Sequence, residues 1–419
     1  MKRLLLVTLA VTCCAAPLLA QRSSQTYGSL FNPDFRVEGN IVGGFTDDPE
    51  RFNEESNRFS ISEAGVALRS FVDPTLQFDL EISGGEGLEG ETRRGEFGVE
   101  QAYVTVLRNS WGFWARIGKM PSSFGEYNDE DPDEAPQVTP PDVILNYFGD
   151  DDGYIDTGIN ANINVPIGNT SHIFWLGVFN GDNPVLFHDG AERKPVYQAR
   201  YEGFLEIASL TGFELGISYL QGLNRRKQTV DLGGTAKEIA VRGETKMWNV
   251  HVEFNWQPER DYLYEGLEVV AEYYLQEREY FDNDKLTAAA IAAGLDPGGF
   301  ETEETTEGFY VLAEYQFARN WGVAARIDRS PVLLAEFGEE EEAGAAGGAG
   351  GEGGEEQAGP YTIYGDEPVE AGSLILSYFP SRFSTWRIQA THKRIEDESW
   401  NEVWVQLQVL IGFERPDVF

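Results

Sequence analysis

The chain has 419 residues, and its 70 Asp and Glu against 32 Lys and Arg give a formal net charge of -38. Nucleic acid is a poor partner for such a surface, because neutralising phosphates takes basic side chains. Both Cys (Cys13, Cys14) lie before Ala20 and the 4 His show no HxxxH spacing, so no disulfide, no structural metal site and no cofactor is expected.

From the N-terminus, Lys2-Arg3 precede an apolar run from Leu4 to Leu19 that closes on Ala20, the charged, apolar and small order of a secretory signal. The expected division is a signal peptide over residues 1–20, a periplasmic segment over 21–33 and one barrel domain over 34–419. Beyond the signal no apolar run reaches the roughly 18 residues of a membrane helix. Strands remain as the way to cross a bilayer.

The rest of the chain is built of segments with period-2 alternation, each with one oily and one wet face. Leu76, Phe78, Leu80 and Ile82 alternate with Gln77, Asp79 and Glu81, and Phe113, Ala115 and Ile117 with Trp114 and Arg116. The same holds for Trp248, Val250, Val252 and Phe254 against Asn249, His251 and Glu253, and for Val403, Val405, Leu407 and Val409 against Glu402, Gln406 and Gln408.

Short turns fall at Asp73-Pro74, Asn109-Ser110, Pro166 to Ser171, Ser209 to Gly212, Pro258 to Tyr262, Arg319-Asn320 and Pro380 to Phe383. They alternate strictly with longer connections beginning near Thr46, Gly84, Met120, Gly181, Gly222, Asp282, Ser330 and Glu396. About sixteen strands with turns on one side and loops on the other is the asymmetry of an outer-membrane barrel. Trp111, Tyr262, Tyr264, Trp321, Phe383 and Trp386, all beside short turns, predict an aromatic girdle on that side. The predicted fold class is all-β: a transmembrane antiparallel β-barrel with short periplasmic turns and long acidic outer loops.

Two connections stand out. The long acidic loop over 120–153 carries Glu126, Asp129, Glu130, Asp131, Asp133, Glu134, Asp142, Asp150, Asp151 and Asp152, and from Glu126 to Asp152 no Lys or Arg. Such a loop is expected in water rather than in a core, lying over the barrel or folded into its mouth as a constriction. Its carboxylates lack the ligand spacing of a known calcium loop. The Gly/Glu/Ala stretch over 338–359 has nothing to bury and is expected to be disordered, and Lys285 to Ala293 reads as a short alanine-rich helix.

Several of these segments resemble a known family. Phe31-Asn32-Pro33-Asp34, VEQAYVTVL (Val99 to Leu107), ARIGKMPSSFGEYN (Ala115 to Asn128), GYIDTGIN (Gly153 to Asn160) and NEVWVQLQVLIGF (Asn401 to Phe413) look like the porin-like outer-membrane proteins related to the phosphate-selective porins. The most specific motif is the run Arg116, Gly118, Lys119, Phe124 and Gly125, where a strand turns into the long loop. The resemblance implies a barrel and a pore in the outer membrane of a Gram-negative-type bacterium, with lipid around it, and porins of this size often associate as homotrimers.

The expected activity is passive diffusion of small hydrophilic solutes or ions, without catalysis, since no Ser/His/Asx trio is evident. Parity places Arg116, Arg200, Arg278, Arg326, Arg387 and Lys393 towards the lumen together with Asp79, Glu81, Asp156, Glu214, Glu253, Glu268, Glu272, Glu314 and Glu402. Lys119, Glu126, Asp129, Glu130, Asp131, Asp133, Glu134, Asp150, Asp151 and Asp152 belong to the expected constriction. Inward carboxylates outnumber bases, which predicts a weak cation preference. A phosphate- or anion-selective porin and a non-conducting adhesin or anchor barrel are the alternatives.

Overall fold

The alternating segments pair with their neighbours in the chain. The strands are β1 (Asp34–Thr46), β2 (Phe59–Asp73), β3 (Leu76–Gly84), β4 (Gly98–Val106), β5 (Phe113–Pro121), β6 (Ile155–Ile167), β7 (Thr170–Phe179) and β8 (Val196–Ala208). They continue as β9 (Thr211–Asp231), β10 (Ala236–Trp256), β11 (Gly266–Tyr280), β12 (Glu303–Ala318), β13 (Trp321–Leu333), β14 (Tyr364–Ser381), β15 (Ser384–Ile395) and β16 (Glu398–Gly412). Among the described residues one helix, α1 (Asp142–Phe148), interrupts the series between β5 and β6. In this computed structural model β16 returns to pair with β1, from Arg36↔Gly412 to Thr46↔Glu402, and the antiparallel sheet closes into a barrel of sixteen strands. Closure leaves no unpaired edge, the condition for crossing a bilayer with strands.

The structure describes residues 33–47, 58–85, 97–107, 112–129, 135–149, 151–183, 185–187, 194–231, 236–258, 265–280, 303–333 and 364–412. The expected signal, the 21–32 part of the segment after it, the Lys285 to Ala293 helix and the Gly/Glu stretch over 338–359 lie outside the described residues. So do Glu130, Asp131, Asp133, Glu134 and Asp150.

Alternation in the sequence becomes inside and outside in the wall. On β13, Val323 and Ile327 are exposed on the outer face while Ala324, Arg326, Asp328 and Ser330 are buried on the inner one. Leu176, Ile327 and Leu374 show 69%, 57% and 65% of their surface outward, exposure that a lipid face wants and a water-soluble sandwich would hide. Trp321, Phe383 and Trp386 are exposed beside the turns, and Trp321 lies 4.6 Å from Tyr378 between ring centroids. Val405→Arg on this outer face should therefore cost about 2–4 kcal/mol near the bilayer midplane. Denaturant unfolding from lipid vesicles measures it, and an unchanged midpoint would mean that Val405 does not meet lipid.

Two connections differ from expectation. The ladder does not break near Gly222: β9 and β10 stay paired out to Asp231 and Ala236. Arg225, Arg226 and Lys227 are polar in succession, so no alternation marks the strand, although its backbone stays paired with β10. The connection at Glu396 is a tight turn, with Glu396 at φ 52 between Ile395 and Glu398. Short and long connections therefore alternate over most of the barrel but not at β9–β10 or β15–β16.

The acidic loop is the largest correction. Its apolar residues do form a core: Phe124, Val143, Ile144, Tyr147, Phe148 and Tyr154 are each 0–1% exposed and cluster inside the barrel with Phe179, Tyr274 and Tyr310. Loop carboxylates do not forbid this, because the wall supplies partners for those that turn inward.

Candidate functional site

The loop between β5 and β6 crosses the lumen and is held at both halves by inward side chains. In the first half, Ser218 Oγ accepts from the Gly125 N–H at 3.2 Å. Glu272 accepts from the Glu126 and Tyr127 N–H groups at 3.1 and 2.9 Å. Glu272 also accepts from Asn249 Nδ2 (2.7 Å), the Tyr274 hydroxyl (2.8 Å) and the Tyr310 hydroxyl (2.5 Å). One carboxylate thus gathers donors from the loop, β10, β11 and β12. Gly125 has φ +80, and a Cβ there would stand 2.5 Å from Glu272 Oε2, so only glycine lets the loop come this close.

Arg200 is the cation of the same half. It donates to the Gly125 carbonyl at 2.8 Å and pairs with Glu126 (2.7 Å), Glu202 (3.0 Å) and Asp129. In the second half, Gln389 Oε1 accepts from the Val138 and Thr139 N–H groups at 2.8 and 3.3 Å, and its Nε2 donates to Thr139 Oγ1 at 2.7 Å. Arg326 donates to the Thr139 carbonyl at 2.5 Å, and Asp328 accepts from the Asp142 N–H at 3.2 Å. Lys393 reaches Asp142 at 2.8 Å, Asn146 donates to Ser330 Oγ at 3.0 Å, and the Tyr147 hydroxyl donates to Thr306 Oγ1 at 3.2 Å. Val138 packs with Val42 on β1 and Trp404 on β16.

The predicted wall residues face inward. Arg200, Arg278, Arg326, Arg387, Asp79, Glu81 and Glu272 are buried there, while Arg116, Lys393, Glu268 and Glu314 are half-buried. Several serve as loop anchors instead of a free lining: Glu272, Arg200, Arg326 and Lys393 all hold loop atoms. Of the expected constriction, Glu126 and Asp129 dock on Arg200. Asp151 gives its carbonyl to the Tyr127 hydroxyl at 2.6 Å, with Asp152 beside it. Lys119 is not part of it. It shares the outward parity of Ile117 and donates to the Val99 carbonyl at 2.5 Å, because the strand continues to Pro121 before the chain turns in. Residues that the sequence did not single out for the loop are Ser218, His251, Gln389 and Thr139. Parity places the first three on the wet face, but nothing local says that a loop lands on them.

Inward charge is unevenly matched. Arg36 pairs with Glu38 and Glu81 at 2.6 and 3.0 Å, Arg69 with Asp79 at 2.5 Å, and Arg326 with Asp328 at 3.1 Å. Arg278 donates to the Val185 carbonyl and Arg387 to Gln406 and Gln408. Arg116 has no carboxylate partner among the described residues; its guanidinium lies 5.6 and 5.0 Å from the Tyr103 and Trp114 ring centroids. At the turn ends of β9 to β12, Glu214, Glu253, Glu268 and Glu314 form a strip, with Glu214 opposite Glu253 and Glu268 opposite Glu314 in register. Glu253, Glu268 and Glu314 have no cation at ion-pair distance among the described residues. In the loop itself, burial pushes the Glu126 carboxyl up to about 8 against the pull of Arg200 and His251. Burial, then the Asp156 carboxylate, raises the Tyr154 hydroxyl well above its ordinary range.

No protein-family model matches the chain. An uncharacterised protein of Aquifex aeolicus (strain VF5) is 27% identical over 290 residues, 64% of this chain and 53% of that protein, so the chain spans about half the length of the curated relative it matches. Among solved structures, the barrel is similar to in-vitro folded OmpT, an outer membrane protein of Vibrio cholerae, in its trimer form (TM-score 0.53, 10% identity, 90% of this chain and 99% of that one). It is also similar to an anion-selective porin from Comamonas acidovorans (TM-score 0.52, 9% identity, 90% and 99% covered) and to Pseudomonas putida OprB (TM-score 0.52, 12% identity, 91% and 94% covered). At these identities the likeness is one of fold, a closed antiparallel barrel of the outer-membrane kind.

Proposed function

We propose that the protein is an outer-membrane porin of a Gram-negative-type bacterium, a passive channel for small hydrophilic solutes and ions that weakly prefers cations and catalyses no reaction. One observation carries the sign of the preference. The inward bases are largely taken up by carboxylates, backbone carbonyls and amides, whereas Glu253, Glu268 and Glu314 have no cation at ion-pair distance among the described residues. Charges left on the wall set which ion enters. Lipid surrounds the outer face in this reading, and a homotrimer accords with the trimer form of V. cholerae OmpT.

The test is a reversal potential across a KCl gradient. Wild type is expected to favour K⁺, and the triple variant E253Q/E268Q/E314Q to lower its cation-to-anion ratio by about twofold or more at moderate salt. Anion preference in the wild type would overturn this reading in favour of a second one, a phosphate- or anion-selective path. That reading is favoured by Arg116, an inward base without a carboxylate partner among the described residues, and by the anion-selective Comamonas neighbour.

A further inference from the structure

Where the crossing loop meets β9 and β10, the side chains of Glu126, Glu214 and His251 converge. His251 Nε2 lies 3.1 Å from Glu214 Oε1 and 3.3 Å from Glu126 Oε2, and the three ligand atoms all fall within 4.8 Å of one another. The convergence is built into the wall. His251 is opposite Gly216 in the β9–β10 register, which makes it the diagonal neighbour of Glu214 on the inner face. Its ring lies over that glycine: a Cβ at position 216 would stand 1.9 Å from His251 Cε1. His251 is fully buried, whereas the side chains of Glu126 and Glu214 keep 14% and 17% of their surface exposed.

We propose that Glu126, Glu214 and His251 form a binding site for a divalent transition-metal cation of the Zn²⁺ class, which staples the crossing loop to the barrel wall. The donor set is one imidazole nitrogen and two carboxylate oxygens, the borderline set that suits Zn²⁺ better than Mg²⁺ or Ca²⁺. Bonds of about 2.0–2.1 Å to a tetrahedral ion put adjacent ligands roughly 3.3 Å apart, which is the spacing of Nε2 to both carboxylates. Three protein donors leave the fourth position of a tetrahedral ion for water.

Charge points the same way. Glu126, Asp129, Glu202 and Glu214 gather here, with Glu253 opposite Glu214 in register, around Arg200 as the one permanent cation among the described residues. Two carboxylate oxygens face the single Nε2 atom of His251. A cation at their centre compensates both. Arg200 does not occupy the place: it approaches Glu126 Oε2 at 2.7 Å, and a carboxylate oxygen has a second lone pair for the metal.

The experiment uses the full chain in detergent micelles, stripped with chelator, and needs no current, so it stands or falls apart from the porin reading. Zn²⁺ titrated calorimetrically is expected to bind at one equivalent per chain, and Co²⁺ to give the intense visible absorption of a tetrahedral site. His251→Asn and Glu214→Gln should each weaken Zn²⁺ by about tenfold or more while retaining the gel mobility of a folded barrel. If His251→Asn does not fold, Glu214→Gln decides. Absence of saturable binding in the wild type would overturn the proposal and leave His251 as a proton bridge between the two carboxylates. Affinity within about twofold of wild type in the folded variants would overturn it too, placing any bound metal at His172, His188 or His392.

Discussion

Glu272→Ala is expected to free the crossing loop from the wall. The carboxylate accepts from two loop N–H groups, from Asn249 and from the hydroxyls of Tyr274 and Tyr310. Truncation strands all of these donors in a site that is 2% exposed at Glu272 and 0% at Tyr274. A hydrogen bond to a charged group contributes about 1.5–3 kcal/mol, and part of the loss is recovered when the loop lifts and its N–H groups meet water. The net cost should be roughly 3–5 kcal/mol in denaturant unfolding, with a larger and noisier single-channel conductance as the lumen opens. Glu272→Gln, which keeps one acceptor oxygen, should fall between. Unchanged stability and unchanged conductance together would mean that Glu272 does not hold the loop.

Arg200→Ala is expected to act by charge rather than by lost acceptors. It leaves Glu126, Asp129 and Glu202 facing one another with side chains 14%, 17% and 14% exposed. Breaking a buried pair from one side costs about 3–5 kcal/mol; residual exposure screens these carboxylates, which places the expected cost near 3 kcal/mol. Arg200→Lys should recover only part of it, because one ammonium cannot reach three carboxylates and the Gly125 carbonyl at once. Full recovery by lysine would show that the fork geometry is irrelevant and that bulk charge alone fixes the loop.

The wall of this protein is legible in its sequence because a strand has only two faces. Val405 and Gln406, or Ile327 and Arg326, announce outside and inside by parity, and closure follows from an even series of such segments joined by tight turns. Length is less legible: β9 and β10 run on through consecutive polar residues, where the partner strand and not the pattern keeps them extended. The loop is where local reading stops. Counting carboxylates over 120–153 predicts water, yet Phe124, Tyr127, Ile144, Tyr147 and Phe148 are buried. Their spacing matches neither period over a useful window, and α1 is too short to show one.

The loop's partners lie far along the chain. Glu126 meets Glu272 across 146 residues and Val138 meets Gln389 across 251, so no window of sequence contains both ends of an anchor. Lys119 errs in the other direction: it belongs to the motif that opens the loop, but one further step of strand parity turns it to the outside.

Conduction requires the lumen to remain open beside the docked loop. Tight packing of Phe124, Phe148, Tyr154, Phe179 and Tyr274 inside the barrel favours the rival account, a non-conducting adhesin or anchor. Current through single molecules of the purified wild-type protein in a planar bilayer separates the two most directly. The porin account predicts discrete, ohmic conductance steps that persist at low voltage and grow in Glu272→Ala. A folded, inserted barrel that passes no current, and begins to conduct only when the loop anchors are removed, would contradict it.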